Sequence, residues 1–256
     1  MDKTLSTRRQ TPPAALRLIP WRGSSAVSNR KIKKPKSLTL LALEKIREGI
    51  TRGEYALGAP LYEKVLAEDF GISKTPVREA LVQLQHEGLV VVQPHSGTFV
   101  FELGDGEVGE LCELRLILET NAVQLAMRRQ AGRLTAELDT LIQAMREALK
   151  KKQIAHYREL DAQFHQTFFK HCGNAYLANS YALIEAKLQT LRVNLMKPLP
   201  NLSKMSMDEH QQIAQALNES KVSKALEILG AHIKRARELM RDLHEVKPVS
   251  VAEFES

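Results

Sequence analysis

Apolar positions recur with a helical period along most of the chain. Between Leu38 and Arg52, Leu41, Leu43, Ile46 and Ile50 fall on helical spacing, and Gly53 ends the run. Residues 62–69 (YEKVLAED) repeat the pattern briefly, with Val65 and Leu66 inward. A turn follows at Phe70-Gly71-Ile72-Ser73. Gly71 can take the positive φ of a helix C-terminus, and Ser73 can cap the next helix. Lys74 to His86 then puts Val77, Ala80, Leu81 and Leu84 on one face. Pro76 stands in the first turn, where a helix tolerates it. After Gly88 the period changes to that of strands. LVVVQ and TFVFEL flank PHSG, two β-branched runs about a Pro/Gly turn, which predicts a hairpin. Helix, helix, turn, helix and hairpin, in that order over residues 37–102, predict a winged helix-turn-helix.

From about Asp105 to Glu245 the pattern is almost wholly helical. Helices are predicted near 106–130, 134–152, 154–172, 176–197, 206–218 and 221–244. The breaks fall at Gly132, Gly173-Asn174, the Pro198–Pro200 stretch and Asn218-Glu219-Ser220. The predicted fold is therefore mainly α: an N-terminal winged helix-turn-helix, then an all-α bundle of six or seven helices at 105–245. Residues 246–256, around Pro248, read as a frayed C-terminus. There is no internal repeat.

Composition agrees and excludes some classes. With 43% hydrophobic residues the chain can bury a core, and 13 Gly and 10 Pro exclude a collagen-like or low-complexity protein. No apolar run approaches the ~18–20 residues of a membrane span. The start, MDKTLSTRRQ, lacks the apolar stretch of a secretory signal. Two cysteines, Cys112 and Cys172, are too few for a disulfide framework and fit a cytoplasmic protein. The net charge of +7 is misleading until it is located. Residues 1–36 carry ten Lys/Arg against one acid, whereas segment 37–102 carries six against nine. The first segment, with Pro12, Pro13, Pro20 and Pro35, reads as a disordered basic arm able to add non-specific phosphate attraction, or as a plain solvated extension. The winged domain itself has to read DNA with a few well-aimed basic groups.

Those groups stand at the start of the second helix of the motif, the part that faces the major groove. Lys74 and Arg78 are four apart and share a face, suited to the guanine acceptors O6 and N7. The Ser73 and Thr75 hydroxyls and the free backbone N–H groups suit phosphates. In the helical domain, Asp161 and His165 share a helix face, His210 lies at the start of a later helix, and His232 lies in the last. Three imidazoles and a carboxylate suit a divalent Zn, Ni, Co or Mn ion. Spacing alone makes this a weak signal, because an Asp-x-x-x-His arises often by chance and surface or capping histidines are the ordinary alternative. His156, His171 and His244 do not fit the set. Arg115 and Arg192 sit in otherwise apolar segments and want anionic partners: a carboxylate ligand, or Glu119 for Arg115.

The run LAEDFGISKTPVREALVQLQHEGLVVVQPHSGTFV resembles the DNA-binding domain of the GntR family of bacterial transcription regulators. ELRLILE (113–119), LDAQFHQTFFKHCGN (160–174), DEHQQIAQAL (208–217) and ALEILGAHIKRA (225–236) resemble the FCD effector domain of its FadR-type subgroup. Six helices would place the chain with the shorter, VanR-like branch. The resemblance implies DNA contacts from Lys64, Lys74 and Arg78, and from the wing tip His95 and Gly97 toward the minor groove. Family members usually carry Arg where Lys74 stands and often where Lys64 stands. Lysine lacks the bidentate fork, so one or both serve phosphates instead. The resemblance also implies a metal at Asp161, His165, His210 and His232, and a small carboxylate effector reached by Arg115 or Arg192. The expected protein is a homodimeric repressor of a palindromic double-stranded DNA operator. The rivals are a regulator with a purely structural metal or a metal-free pocket, a non-specific DNA binder, and, remotely, a metalloenzyme.

Overall fold

The computed structural model describes residues 37–196 and 201–245. The arm at 1–36, the Pro198–Pro200 break and the terminus at 246–256 lie outside the described residues. The N-terminal part builds α1 (Leu38–Thr51), α2 (Glu63–Phe70), α3 (Lys74–His86), β1 (Val90–Gln93) and β2 (Gly97–Val100). Ser37 caps α1, its Oγ accepting from the Leu40 N–H. Gly71 ends α2 at φ 64°, the left-handed conformation its sequence position suggests. The strands pair antiparallel, Val90 opposite Val100 and Gln93 opposite Gly97. Ile46, Ile50, Val77, Ala80 and Leu84 are wholly buried between the helices. Each large apolar chain so buried contributes ~1.5–3 kcal/mol, which fixes how α3 is presented.

The second part is all helix: α4 (Asp105–Lys150), α5 (Ile154–Cys172), α6 (Ala175–Met196), α7 (Leu202–Asn218) and α8 (Val222–Glu245). The break expected at Gly132 is instead a kink two residues earlier. Gln130 has φ −143° and ψ 38° while Gly132 remains helical. Tertiary contacts set it. Gln130 Oε1 meets His171 Nδ1 at 3.1 Å, and Arg129 Nη1 donates to the carbonyls of Cys172 and Gly173 at the end of α5. Counting the two arms of α4, the bundle has six helical segments among the described residues. A second difference is the start of α7 at Leu202 rather than 206. Leu202, Ser203, Ser206 and Met207 are buried, and the Tyr157 hydroxyl donates to the Ser203 carbonyl. His210 therefore stands inside α7, not at its start.

α1 packs on α6, so the winged domain rests on the bundle. Arg52 reaches Glu159 of α5 at 3.5 Å, and Lys187 of α6 lies over the Phe101 ring, 5.7 Å from its centre. Among the described residues no helix is long and apolar enough to cross a membrane.

Candidate functional site

Two regions gather the residues singled out from the sequence. The first is the start of α3. Ser73, Lys74, Thr75 and Arg78 are all exposed, because Val77, Ala80 and Leu81 take the inward face. Ser73 occupies the cap position with extended backbone, yet its hydroxyl makes no capping bond. That corrects the capping expectation and leaves the hydroxyl available to a phosphate. Arg78 is gripped by Glu63 of α2 through two bonds, Nε to Oε1 at 2.9 Å and Nη2 to Oε2 at 2.7 Å. These bonds hold the Glu63 carboxyl below its ordinary pKa. Lys64 is exposed, 4.0 Å from Glu68. At the wing tip the Ser96 N–H bonds back to the Gln93 carbonyl, with His95 at φ 64° and Gly97 at φ 117°. His95 thus takes a left-handed position usually left to glycine, which costs roughly 1–2 kcal/mol.

The second region is buried in the bundle. α5 supplies Asp161 and His165, one turn apart; α7 supplies His210; α8 supplies His232. One ligating atom from each of the three imidazoles lies within 4.8 Å of the others. His165 Nε2 and His210 Nε2 are 3.3 Å apart, and Asp161 Oδ1 is 3.7 Å from His210 Nδ1. Phe164 stacks obliquely on His210, ring centres 4.4 Å apart. Burial pushes His210 and His232 down to about 3 and His165 well below its ordinary value. Asp161 is driven up by burial and down by the facing His210 and Arg192, and ends near 2. Neutral imidazoles beside an ionised carboxylate are the protonation state in which these groups ligate a cation. The donor set also shows unmet demand: Asp161 Oδ1 and His210 Nδ1 are buried without a hydrogen-bond partner. The residues fit a divalent metal.

Both sequence-predicted arginines reach the same place. Arg115 is buried, Nε donating to Glu119 Oε1 at 2.7 Å and Nη2 to His165 Nε2 at 3.0 Å. Arg192 lies 3.5 Å from Asp161 and 3.9 Å from Glu119. A small cavity of about 30 Å³ is bounded by Arg115, Asp161, Arg192, Ser206, His232 and Arg235. Arg192 Nη1 and Arg235 Nε are buried there without partners. A carboxylate is the group to which such nitrogens donate.

Sequence reasoning missed four members. Glu119 was visible as a partner for Arg115, but not as a wholly buried bridge to His165. Arg235 follows His232 by three residues, a same-face spacing that could have flagged it. Glu209 precedes His210 yet binds His232 instead. Tyr181, whose hydroxyl stands 3.4 Å from both Glu119 and Arg192, carried no signal. The histidines set aside stay apart: His171 pairs with Glu137 at 2.8 Å, and His156 with Glu159 at 3.6 Å.

Comparison with known proteins bears on both regions. Residues 39–100 match "Bacterial regulatory proteins, gntR family", and residues 110–235 match the FCD domain. The chain is 29% identical over 132 residues to a gluconate operon transcriptional repressor of Bacillus licheniformis, covering 52% of this chain and 54% of that protein. It thus spans about half the length of that relative. It is 25% identical over 209 residues to the transcriptional repressor RspR of Escherichia coli K12, covering 78% and 87%. The solved structure of E. coli McbR/YncC superposes with a TM-score of 0.70 at 23% identity, over 81% of this chain and 99% of that one.

Proposed function

The chain belongs to the GntR family of bacterial transcription regulators, a DNA-binding winged domain followed by an effector-binding FCD domain, and from that premise we propose that it is a metal-dependent, ligand-released repressor. Its domains and relatives are regulators rather than enzymes. Six helical segments in the bundle support the VanR-like branch. The observation that carries the reading is the start of α3, where Ser73, Lys74, Thr75 and Arg78 stand exposed together. Arg78 exchanges Glu63 for a guanine edge, and Lys74 and the two hydroxyls take phosphates or bases beside it. Lys64 and the wing tip at His95 and Gly97 add flanking contacts.

One such helix makes too few contacts for a useful operator affinity, so the working form is a two-fold dimer on a palindrome. Leu114 and Ile117, 41% and 53% exposed on α4, supply apolar surface for a second copy. A regulator of this kind works beside the chromosome, in the cytoplasm.

In the bundle, His165, His210, His232 and Asp161 would hold a divalent ion, whose contribution is a fixed positive charge that draws a carboxylate. Arg192 and Arg235 meet the anion with their unpaired nitrogens. Arg115 Nε holds Glu119 in place, and its Nη2 turns from His165 to the ligand. A small organic acid that binds the two dimer states with different affinity shifts the spacing of the two α3 helices and releases the operator.

Selection of bound fragments from genomic DNA, followed by footprinting, tests this. The wild type should protect a palindrome. Arg78→Ala should weaken binding to it by about tenfold or more, as the loss of a good base contact does. Equal protection by that variant, or a footprint without two-fold symmetry, would sink the reading.

A further inference from the structure

Two carboxylates of the cluster face away from the space between the imidazoles and grip the rings from behind. Glu119 Oε2 lies 2.8 Å from His165 Nδ1, and its Oε1 accepts from Arg115 Nε at 2.7 Å. Glu209 Oε2 lies 2.6 Å from His232 Nδ1 and accepts from Arg235 Nη2 at 2.5 Å. The same imidazole–carboxylate–guanidinium chain is thus built twice, from different helices. Once it joins α5 to α4, and once α8 to α7. His210 has no such support, because its Nδ1 is buried without a hydrogen bond.

An ionised carboxylate only accepts, so the ring nitrogen that it grips must carry the proton. Nδ1–H on His165 and His232 puts the lone pair of each ring on Nε2, which on His165 becomes available once Arg115 Nη2 turns away. Arg115 Nη2 lies 3.0 Å from Nε2 and 3.3 Å from Nδ1 of the same ring and selects neither, so the tautomer of His165 is set by Glu119. A guanidinium holds each carboxylate as well, through Oε1 of Glu119 and through the same Oε2 of Glu209 that faces His232. Neither ring can then flip without breaking a buried, charge-assisted bond.

We propose that Glu119 and Glu209 are positioning residues that lock His165 and His232 as Nδ1–H tautomers and so aim both Nε2 atoms at one divalent cation. This rests on the metal reading above. Groups that donate no atom to the ion then set how tightly it is held, as outer partners of metal-bound histidines do.

The test uses the full chain and zinc alone, titrated in competition with a chromophoric chelator. Glu209→Ala should hold zinc about 10–100-fold more weakly than the wild type. Glu209→Gln, whose amide oxygen still accepts from Nδ1–H, should recover most of the loss. For the more deeply buried site the variant is Glu119→Gln, which retains an acceptor and should stay within severalfold of the wild type. Nitrogen-15 NMR of the metal-free imidazoles supplies a readout that a merely structural role would not move. His232 should be Nδ1–H in the wild type and in Glu209→Gln, and mixed in Glu209→Ala. Zinc held equally by wild type and Glu209→Ala, or an Nε2–H His232 in the wild type, overturns this inference alone. A wild type that takes no zinc overturns the metal reading beneath it.

Discussion

At the scale of single residues, the buried charges divide into those that hold the fold and those that wait for a partner. Arg115 and Glu119 are 1% and 0% exposed and 2.7 Å apart. Breaking such a pair strands a charge in the core. Glu119→Ala should therefore lose about 3–5 kcal/mol in urea unfolding. A loss near zero for the alanine variant would mean that the pair is not buried in solution. Arg78 is the opposite case, an exposed group restrained by Glu63. Freed from it, Arg78 meets DNA without first surrendering a bidentate bond. Glu63→Gln should thus strengthen operator binding severalfold, measured by fluorescence anisotropy. Glu54→Gln removes one exposed charge of the same domain from the loop after α1 and serves as the control. An equal effect of both would assign the gain to net charge alone. Of the four ligand candidates, spacing alone joined Asp161 and His165 on one helix face, and it was the resemblance to the FCD domain that added His210 and His232 from later helices. Glu119, Glu209, Arg235 and Tyr181 were not legible, because each acts across helices whose mutual rotation no local spacing reveals.

At the scale of elements, the boundaries that rest on local chemistry read correctly, and those that rest on tertiary contact did not. Gly71 and Gly173 end α2 and α5 at positive φ, as glycines past a helix should. Gly132 looked like a third such stop. It is not, since the kink sits at Gln130 and is held by Arg129 and His171 against the end of α5. Gly132 is then a helical glycine whose added Cβ would meet nothing within 4 Å. Gly132→Ala should stabilise the protein by roughly 0.5–1 kcal/mol, through the lower backbone entropy of alanine in the unfolded chain. Thermal melting decides it. A fall in the melting temperature would return the hinge to Gly132. The early start of α7 has the same origin: Leu202 finds a buried seat that the polar stretch before residue 206 does not advertise.

At the scale of the whole molecule, the order of two domains was plain from the change of hydrophobic period near Gly88 and the long helical run after Asp105. What joins them was not, because the junction is a matter of which helix faces which. α6 turns out to serve both sides. Inward it carries Tyr181 and Arg192 to the buried cluster. Outward it carries Lys187 to the ring of Phe101 and onto Gly88, whose missing side chain leaves room: a Cβ there would stand 2.8 Å from the Lys187 ammonium. Gly88 closes the very helix that presents Arg78. A shift of α6 at the cluster would therefore reach the end of α3, one helix length from the residues proposed to contact DNA. Lys187→Ala should leave zinc affinity unchanged and zinc-free operator affinity within about twofold, yet shrink the zinc-dependent change in operator affinity, where couplings of this kind run ~5–150-fold. The reciprocal measurement must agree, because operator DNA changes zinc affinity by the same factor that zinc changes operator affinity. If the variant keeps the wild-type ratio in both directions, the signal travels by another route, and Arg52 with Glu159 is the next contact to break.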